Sequence, residues 1–356
     1  MDDIQPRNFQ NPELQHAERE AMRAAREHTS ELLQQYAARP DTFNGRYVAA
    51  DTMKELLPGY SQSPESRNAL NGAVHNSAAV LSAEQFRRIV DAGPQGKSDT
   101  AVFITGIPGA GKSSAVNLYA GEKAAVVFEG QMSRPDAAMQ KIEHALQKGF
   151  DVQIVAVHVP PELALDRTHS RFTDPTNGRG ASLAVMSEIQ GHLPAGLEKI
   201  QERFGDRVHL MVVDSTPNAE RMVRGWPESI QHLKKEGSYE QVTERLNKAL
   251  DRGYSDGRYN DDFYRQAAGR EPSAVLAGGR REQVDRGLQT NEQRPSVSSG
   301  NQKENAVSAY AKGKANVQNS AALGPTKQSS AATPTTTKQP TQTPAAAPDA
   351  KRGRGR

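Results

Sequence analysis

The sequence predicts an α/β fold: a doubly wound parallel sheet of about five strands, with helical extensions at both ends and a disordered C-terminal tail. Short apolar runs alternate with longer helical patterns through the middle of the chain, which is typical of parallel strands joined by helical crossovers. A glycine-rich motif directly follows one of these runs. The mean hydropathy of −0.74 is low for one compact globule and indicates that ordered and disordered parts are combined.

The composition excludes several classes of protein. There is no cysteine, so disulfides, thiolate metal sites and a cysteine nucleophile are ruled out, which fits a reducing cytoplasm. The opening residues, MDDIQPRNFQ, lack the basic and apolar regions of a secretory signal. No apolar run approaches the roughly 20 residues of a membrane helix. We therefore expect a cytoplasmic protein without a membrane partner.

The net charge of +3 conceals an asymmetry between the two ends of the chain. Residues 291–356 hold ten Lys or Arg and three Asp or Glu, a net of +7, which leaves a net of −4 for residues 1–290. The sequence pI of about 8.9 is therefore a property of the tail. It does not predict a basic nucleic-acid groove in the folded part.

The first part of the chain is mainly helical in pattern. Residues 11–38, rich in Ala, Glu, Arg and Gln, predict one weakly packed amphipathic helix. A short apolar strand at 47–50 then stops at Asp51, and a helix is expected at 52–57. One or two helices follow within 65–93. Their expected buried residues are Leu81, Phe86, Ile89 and Val90.

Four further apolar runs predict the other strands of a buried parallel sheet. These runs are 101–104, 124–130, 151–159 and 208–214. Helices are expected at about 135–148, 161–172 and 181–203. The sequence thus divides into an N-terminal helical segment at 1–40, a sheet domain at 41–225, a helical extension at 226–290 and a low-complexity tail at 291–356.

The tail has too few apolar residues to fold. Its 66 positions include four residues of the Val, Leu, Ile, Met and Phe group and one tyrosine. Burial of so little apolar surface does not offset the entropy of ordering, so the tail should be disordered. Its last residues, KRGRGR, are compatible with an export or recruitment signal, a nonspecific nucleic-acid tether, or a solubilising end.

A phosphate-binding motif follows the strand at 101–104. The segment GIPGAGKS, residues 106–113, fits G-x-x-x-x-G-K-[ST] and opens a helical pattern. Its backbone N–H groups can surround phosphate oxygens, while Lys112 neutralises phosphate charge and the Ser113 hydroxyl can bind Mg²⁺. We expect a bound ATP or GTP with Mg²⁺. The expected nucleotide-binding residues are Gly106, Pro108, Gly109, Ala110, Gly111, Lys112, Ser113 and Ser114.

Other charged residues stand where a catalytic site would need them. Glu129 ends the strand at 124–130, where an acid can bind Mg²⁺ or substrate, although a helix cap is the alternative. Arg167 and Arg171 lie four residues apart on one helix face, and Arg179 lies in a glycine-flanked loop. Three arginines in a polar region also suit a solvated surface, so spacing alone leaves their role open.

Three segments within about residues 100–215 carry a family resemblance: TAVFITGIPGAGKSSAV, VVFEGQMSRPDAAMQKIEHALQKGFDVQIVAVHVPPELALDRTHSRF and NGRGASLAVMSEIQGHLPAGLEKI. In these segments the chain resembles the zeta toxin family of P-loop kinases. The resemblance implies a P-loop kinase-like fold. It also implies transfer of a phosphoryl group from ATP or GTP to a small sugar nucleotide such as UDP-N-acetylglucosamine, in a bacterial toxin held in check by an antitoxin protein.

The resemblance also implies roles for individual residues. Lys112 and Ser113 match the Walker A lysine and hydroxyl, and Glu129 matches the acid of a strand-end Glu-Gly pair. Arg167 and Arg179 match two arginines on the phosphate side of the site. Arg134 and Arg171 are further substrate-binding candidates with less certain counterparts.

One catalytic element is missing from its usual place. In the family, the strand after the Walker A helix ends in an aspartate that acts as the base, and a substrate-binding helix follows. Here the segment AADTMKELLPGY, with Asp51, resembles that aspartate strand but precedes the Walker A motif. AVHNSAAVLSAEQFRRIV resembles the substrate helix, which makes His75 and Asn76 substrate-binding candidates. The order is therefore permuted: base strand and substrate helix at 45–92, Walker A and the remaining sheet at 99–215.

Several alternatives remain open from the sequence. Asp51 could instead cap the helix that follows it, and His75 and Asn76 could be helix-capping residues. The acceptor could be a dinucleotide or a polynucleotide end. The nucleotide site could also belong to a switch or interaction module that transfers nothing.

Overall fold

The computed structural model describes residues 3–95, 98–119, 124–219 and 222–278. Internal contacts divide the chain into two units, Met1–Ser296 and Val297–Arg356. Everything described below belongs to the first unit. The tail predicted at 291–356 lies outside the described residues.

The centre of the fold is a six-stranded sheet in the order β1-β3-β2-β4-β5-β6. Strands β1 to β5 are parallel neighbours, and β6 pairs antiparallel with β5. The five predicted parallel strands are therefore confirmed. The three-residue β6 was not predicted, because it is too short to show a pattern. The strands are β1 Tyr47–Ala49, β2 Thr100–Thr105, β3 Val126–Glu129, β4 Asp151–His158, β5 Val208–Asp214 and β6 Met222–Arg224.

Twelve α-helices surround the sheet in the described part of the chain. The first five precede β2: α1 Pro12–Glu27, α2 Thr29–Ala38, α3 Ala50–Lys54, α4 Pro64–Leu70 and α5 His75–Asp91. Four lie between β2 and β5: α6 Lys112–Tyr119, α7 Asp136–Gln147, α8 Pro161–Phe172 and α9 Leu183–Phe204. The last three follow β6: α10 Trp226–Lys234, α11 Tyr239–Ser255 and α12 Asp261–Ala268.

Two predicted helix boundaries in the N-terminal part were wrong. The single helix expected at 11–38 is broken at His28, whose backbone leaves the helical conformation at φ −118° and ψ 24°. The helix expected from residue 52 begins at Ala50, and Ala49 occupies its N-cap position. Asp51 therefore lies in the first turn of α3 and is not its capping residue.

Both faces of the sheet are covered. One face packs Val102, Val155 and Met211 against residues of α8, α9 and α11. The other packs Phe103, Ile154 and Leu210 against residues that include Phe86, Ile142 and Leu233 from α5, α7 and α10. Strands buried on both faces read as continuous apolar runs, which explains why the sequence pattern located them.

The N-terminal helices cover the edge strand β1. Tyr36 on α2 is fully buried, and its hydroxyl donates to the Tyr47 carbonyl at 2.8 Å and accepts from the Ala49 N–H at 3.0 Å. The hydroxyl thus pairs with backbone groups that an edge strand would otherwise leave open. The prediction that this segment is weakly packed is wrong, because α2 buries Leu32, Leu33 and Tyr36.

No helix among the described residues is both long enough and apolar enough to span a membrane.

Candidate active site

The glycine-rich loop joins the end of β2 to the start of α6. Gly106 and Gly109 have φ angles of 144° and 81°. A β-carbon at Gly106 would lie 2.4 Å from the Val157 carbonyl oxygen, and one at Gly109 would lie 2.4 Å from that of Ala164. Only glycine fits either position without displacing backbone. The loop is therefore held against β4 and α8 in the strand–turn–helix setting that phosphate binding requires.

Lys112 lies inside this loop beside an acid. Its ammonium donates to the carbonyl oxygens of Gly106 at 2.9 Å and Ile107 at 3.1 Å. Its Nζ atom is 3.5 Å from Oε1 of Glu129, at the end of β3. The other carboxylate oxygen of Glu129 accepts a 2.5 Å hydrogen bond from the hydroxyl of Tyr47. Tyr47, Glu129 and Lys112 thus contact one another in series across β1, β3 and β2, and we call the region around them the cleft.

The register of β1 places Asp51 at the same edge of the sheet as this cleft. Strand β1 pairs in parallel with β3, and Ala49 lies opposite Glu129. Asp51 follows Ala49 by two residues, so its strand ends at the same sheet edge as the Glu129 strand. Half of the Asp51 side-chain surface, 52%, stays exposed. A ligand in the cleft can therefore reach this carboxylate.

A buried lysine holds Asp51 in its charged form. Lys54 Nζ, with 3% of its side chain exposed, donates to Asp51 Oδ1 at 2.8 Å and to Asn71 Oδ1 at 2.7 Å. The surrounding protein opposes ionisation, but the Lys54 ammonium and the nearby Arg179 and Arg171 hold the pKa of Asp51 well below its ordinary value. Asp51 is thus an ionised acceptor at neutral pH.

Arg167 lies over the phosphate loop. It extends from α8, and its Nη1 atom donates to Ser215 Oγ at 3.0 Å and to the Gly109 carbonyl at 3.3 Å. Its Nη2 atom donates to the Ser215 carbonyl at 2.9 Å. Ser215 Oγ donates in turn to the Ala110 carbonyl at 2.5 Å. The guanidinium is therefore fixed to the loop and to the segment after β5.

Arg171 and Arg179 bring positive charge to the acid side of the cleft. Arg171 Nε donates to the Arg179 carbonyl at 3.1 Å. Burial and the Arg179 charge lower the pKa of Arg171, while the charges of Asp51 and Glu129 oppose that shift. Arg171 thus lies within electrostatic reach of both acids. Arg179 itself donates to Asn177 Oδ1 at 3.0 Å and lies 4.0 Å from Glu55.

The remaining substrate-binding candidates lie in different surroundings. His75 begins α5 near Lys54 and Asp51, and limited hydration together with the Lys54 charge lowers its pKa to about 4. Asn76 donates to the Gln5 carbonyl at 2.7 Å, so its amide binds the N-terminal segment. Arg134 is exposed and pairs with Glu188 on α9 at 2.8 Å. The described contacts of Asn76 and Arg134 join neither residue to the cleft.

A polar cavity of about 200 Å³ lies beside α3 and is lined by Thr52, the residue after Asp51. Its cationic walls are Arg39, Arg67 and Arg179. Arg67 pairs with Glu55 at 3.0 Å, and Arg39 pairs with Asp41 at 2.8 Å. The other lining residues are Asp41, Thr52, Glu55, Thr176 and Asn177. The cavity therefore combines three guanidinium groups with two carboxylates and with neutral hydrogen-bonding groups.

The residues present fit a nucleoside triphosphate with Mg²⁺. The loop has the strained glycines of a phosphate cradle, Lys112 projects into it, and α6 begins at its end. Ser113 is exposed in the first turn of α6, and Glu129 lies beside Lys112. Ser113 and Glu129 would hold the metal ion, and hydroxyl and carboxylate oxygens are the ligands that Mg²⁺ prefers.

Sequence reasoning did not identify Tyr47, Lys54 or Ser215 as site residues. The spacing of Lys54, three residues after Asp51, was a usable signal, since such pairs face each other on a helix. Tyr47 reaches Glu129 across 82 positions, and Ser215 reaches Arg167 across 48. No local pattern links residues so far apart.

One comparison with known proteins agrees with the resemblance found in the sequence. Residues 116–243 match the family model described as Zeta toxin. The matched region contains Glu129, Arg167, Arg171 and Arg179. It begins after the Walker A motif and does not include Asp51.

No curated protein matches the chain. One solved structure that matches is described as belonging to the PezAT chromosomal toxin-antitoxin system of the human pathogen Streptococcus pneumoniae. It is 17% identical and covers 47% of this chain and 94% of its own, with a TM-score of 0.31. That likeness is too loose to inform the site. The family match agrees with the resemblance seen in the sequence: residues 116–243 are similar to the zeta toxin family.

Proposed function

We propose that the chain is a kinase that transfers the γ-phosphoryl group of ATP or GTP to a hydroxyl of a small molecule. The observation that carries the proposal is the parallel pairing of β1 with β3, with Ala49 opposite Glu129. This register directs Asp51, Glu129 and Lys112 to one sheet edge. The carboxyl edge of parallel strands is where α/β proteins bind ligands.

Each residue has a distinct role in the proposed reaction. The loop backbone and Lys112 bind the triphosphate, and Arg167 lies where it can stabilise negative charge on the transferred group. Asp51, kept ionised by Lys54, accepts the proton of the acceptor hydroxyl or orients that hydroxyl for in-line attack. Arg171 and Arg179 add positive charge beside it. Mg²⁺, when bound by Ser113 and Glu129, supplies further neutralisation of phosphate charge.

The cavity beside Asp51 supports a phosphate-bearing acceptor. Its three arginines, Arg39, Arg67 and Arg179, outnumber its two carboxylates, Asp41 and Glu55, and their planar guanidinium groups suit phosphate oxygens. Thr52 and Asn177 can bind hydroxyl or amide groups. A sugar nucleotide such as UDP-N-acetylglucosamine has both kinds of group. The family resemblance points to the same acceptor class and to a toxin with an antitoxin partner.

The test is a transfer assay with the purified full-length chain. Labelled ATP or GTP and Mg²⁺ are supplied with sugar nucleotides, dinucleotides and oligonucleotide ends, and products are identified by mass spectrometry. We expect a phosphorylated sugar nucleotide, and a loss of about 100-fold or more with Asp51→Asn or Lys112→Ala. Glu143→Gln, which removes an exposed pair with Arg203 on the other side of the sheet domain, should retain activity.

The other outcomes distinguish the competing hypotheses. Transfer to a dinucleotide or an oligonucleotide would support the kinase activity but contradict the proposed sugar-nucleotide acceptor. Nucleotide binding without transfer to any acceptor, or to any component of a metabolite extract, would favour a nucleotide-binding switch. Toxicity is tested by expression of the chain in bacteria: the unchanged chain should arrest growth, and Asp51→Asn should not. An antitoxin is tested by co-expression of a neighbouring gene product, which should restore growth.

The cytoplasmic location and the role of the tail are also proposals. Deletion of residues 325–356 tests them, through export of the chain and retention on nucleic acid at physiological salt. If both are unchanged, the tail is a solubilising end.

A further inference from the structure

A second cluster of chemically active side chains lies at the ends of β4 and β5, on the side away from Asp51. His158 ends β4, Asp214 ends β5 and His232 lies on α10. The Oδ2 atom of Asp214 is 3.0 Å from Nδ1 of His158 and 2.8 Å from Nε2 of His232. The two ring nitrogens are 3.4 Å apart. Three elements thus bring three Lewis-basic atoms within 3.4 Å of one another.

These separations match those of ligands around one metal ion. With bonds of about 2.0–2.1 Å, two ligand atoms lie roughly 2.9 Å apart at a right angle and about 3.3 Å apart at a tetrahedral angle. The three separations, 2.8, 3.0 and 3.4 Å, span that range. The two imidazole rings are nearly perpendicular, at 82°, so their nitrogens converge while the ring faces do not stack.

The surroundings orient each ligand for this role. Nε2 of His158 donates to Glu236 Oε1 at 2.9 Å, which turns the opposite nitrogen, Nδ1, toward Asp214. Glu236 is held in turn by Arg245 at 2.9 Å. The second oxygen of Asp214 accepts from the Thr216 N–H at 2.8 Å. A carboxylate that orients a ligating histidine is the usual outer shell of a protein metal site.

The cluster is both sheltered and accessible. The side chains of His158 and Asp214 are 6% and 5% exposed, whereas that of His232 is 16% exposed. His232 also lines a cavity of about 410 Å³ with residues of β6 and α10. A metal ion therefore has a route from solvent to the buried ligands through His232.

We propose that His158, Asp214 and His232 bind one divalent transition-metal ion of the Zn²⁺ type. Two imidazoles and one carboxylate suit Zn²⁺, Co²⁺ or Ni²⁺, whereas Mg²⁺ prefers oxygen ligands only. The site ties α10 to the ends of β4 and β5. Its ligand Asp214 directly precedes Ser215, which holds Arg167, so the ion stabilises the segment that positions this arginine.

The test is metal binding by the chelator-treated full-length chain without nucleotide. We expect one equivalent of Co²⁺ to bind with visible absorption bands of a nitrogen- and oxygen-ligated ion, and Zn²⁺ to displace it. His232→Gln should weaken Zn²⁺ binding about 100-fold or more, and Glu236→Gln about 10- to 100-fold. His144→Gln changes a histidine on α7 that pairs with Asp91 of α5, and this variant should bind Zn²⁺ as the unchanged chain does.

The proposal also predicts a thermal readout, since an ion that binds only the folded chain raises its melting temperature. Zn²⁺ should stabilise the unchanged chain and the His144→Gln variant, but not His232→Gln. If the folded, unchanged chain binds neither Zn²⁺ nor Co²⁺, the proposal is overturned. The cluster is then a hydrogen-bonded network, with protons between the side chains in place of a metal ion. Binding that His232→Gln leaves intact would overturn the proposal as well.

Discussion

Lys54 Nζ lies 2.8 Å from Asp51 Oδ1, so a nearly inaccessible ammonium faces a half-exposed carboxylate. The two residues lie three positions apart on α3, and Asn71 fixes the lysine from the other side at 2.7 Å. The pair keeps the acid charged while leaving it open to the cleft. A proton acceptor for an incoming hydroxyl needs both properties.

Lys54→Met should shift the acidic limb of the rate profile to higher pH. The base acts when deprotonated, so activity falls as pH drops through the pKa of Asp51. In the unchanged chain Lys54 lowers that pKa, and loss of the ammonium leaves the surrounding protein to raise it. Transfer rates are measured across pH 4–9. As the pH is lowered, the rate of the variant should begin to fall at a higher pH than the rate of the unchanged chain. Lys248→Met, which removes an exposed pair with Glu244, is the control, and an identical profile for both variants would contradict this role.

Tyr47→Phe should lower kcat/KM about 10- to 100-fold without unfolding the chain. The Tyr47 hydroxyl donates to Glu129 Oε2, and a hydrogen bond to a charged group contributes about 1.5–3 kcal/mol. Its loss frees Glu129, which lies beside Lys112, to move. Steady-state kinetics with varied nucleotide and Mg²⁺ measure the effect.

Tyr264→Phe is the matched control for that experiment. It also removes a tyrosine hydroxyl bonded to a carboxylate, that of Asp251, but on α11 and α12. Equal losses in both variants would show that the Tyr47 effect is general destabilisation.

Much of the sheet could be predicted, because β2, β4 and β5 are buried on both faces and carry continuous apolar runs. Strand β1 was expected from its short apolar run, but its position beside β3 was not predicted from the sequence. The break at His28 could not be predicted, since neither glycine nor proline marks it. Helices α10 and α12 lie within the helical extension predicted at 226–290, although their individual bounds were not predicted.

The residues of the candidate site also fall into two groups, those that the sequence predicts and those that it does not. Residues that belong to a contiguous motif, such as Lys112 and Ser113, could be read directly. Contacts that depend on register or on distant loops could not, and Tyr47 with Glu129 is one example. His158 and Asp214 are 56 positions apart, and only the parallel alignment of β4 with β5 brings them together.

Tyr36→Phe should lower the free energy of unfolding by about 1–3 kcal/mol, because the buried Ala49 N–H loses its acceptor. For a chain of this size that corresponds to a fall in melting temperature of about 2–4 °C per kcal/mol. Thermal denaturation followed by circular dichroism measures it. Tyr239→Phe, on α11, should melt within about 1 °C of the unchanged chain. An unchanged melting temperature for Tyr36→Phe would mean that α2 does not stabilise β1 through this hydroxyl.

Ser215→Ala should reduce kcat more than it changes KM for the nucleotide. Ser215 Oγ accepts from Arg167 Nη1 and donates to the Ala110 carbonyl, so the variant loosens the arginine while its Nη2 bond to the Ser215 carbonyl remains. Loss of about 1 kcal/mol corresponds to roughly a fivefold lower kcat if Arg167 acts on charge that develops during transfer. Ser170→Ala lies one turn along α8, where its hydroxyl bonds only the Asp166 carbonyl of its own helix among the described contacts, and should leave kcat unchanged. A rise in KM alone would instead assign Arg167 to ground-state binding of the nucleotide.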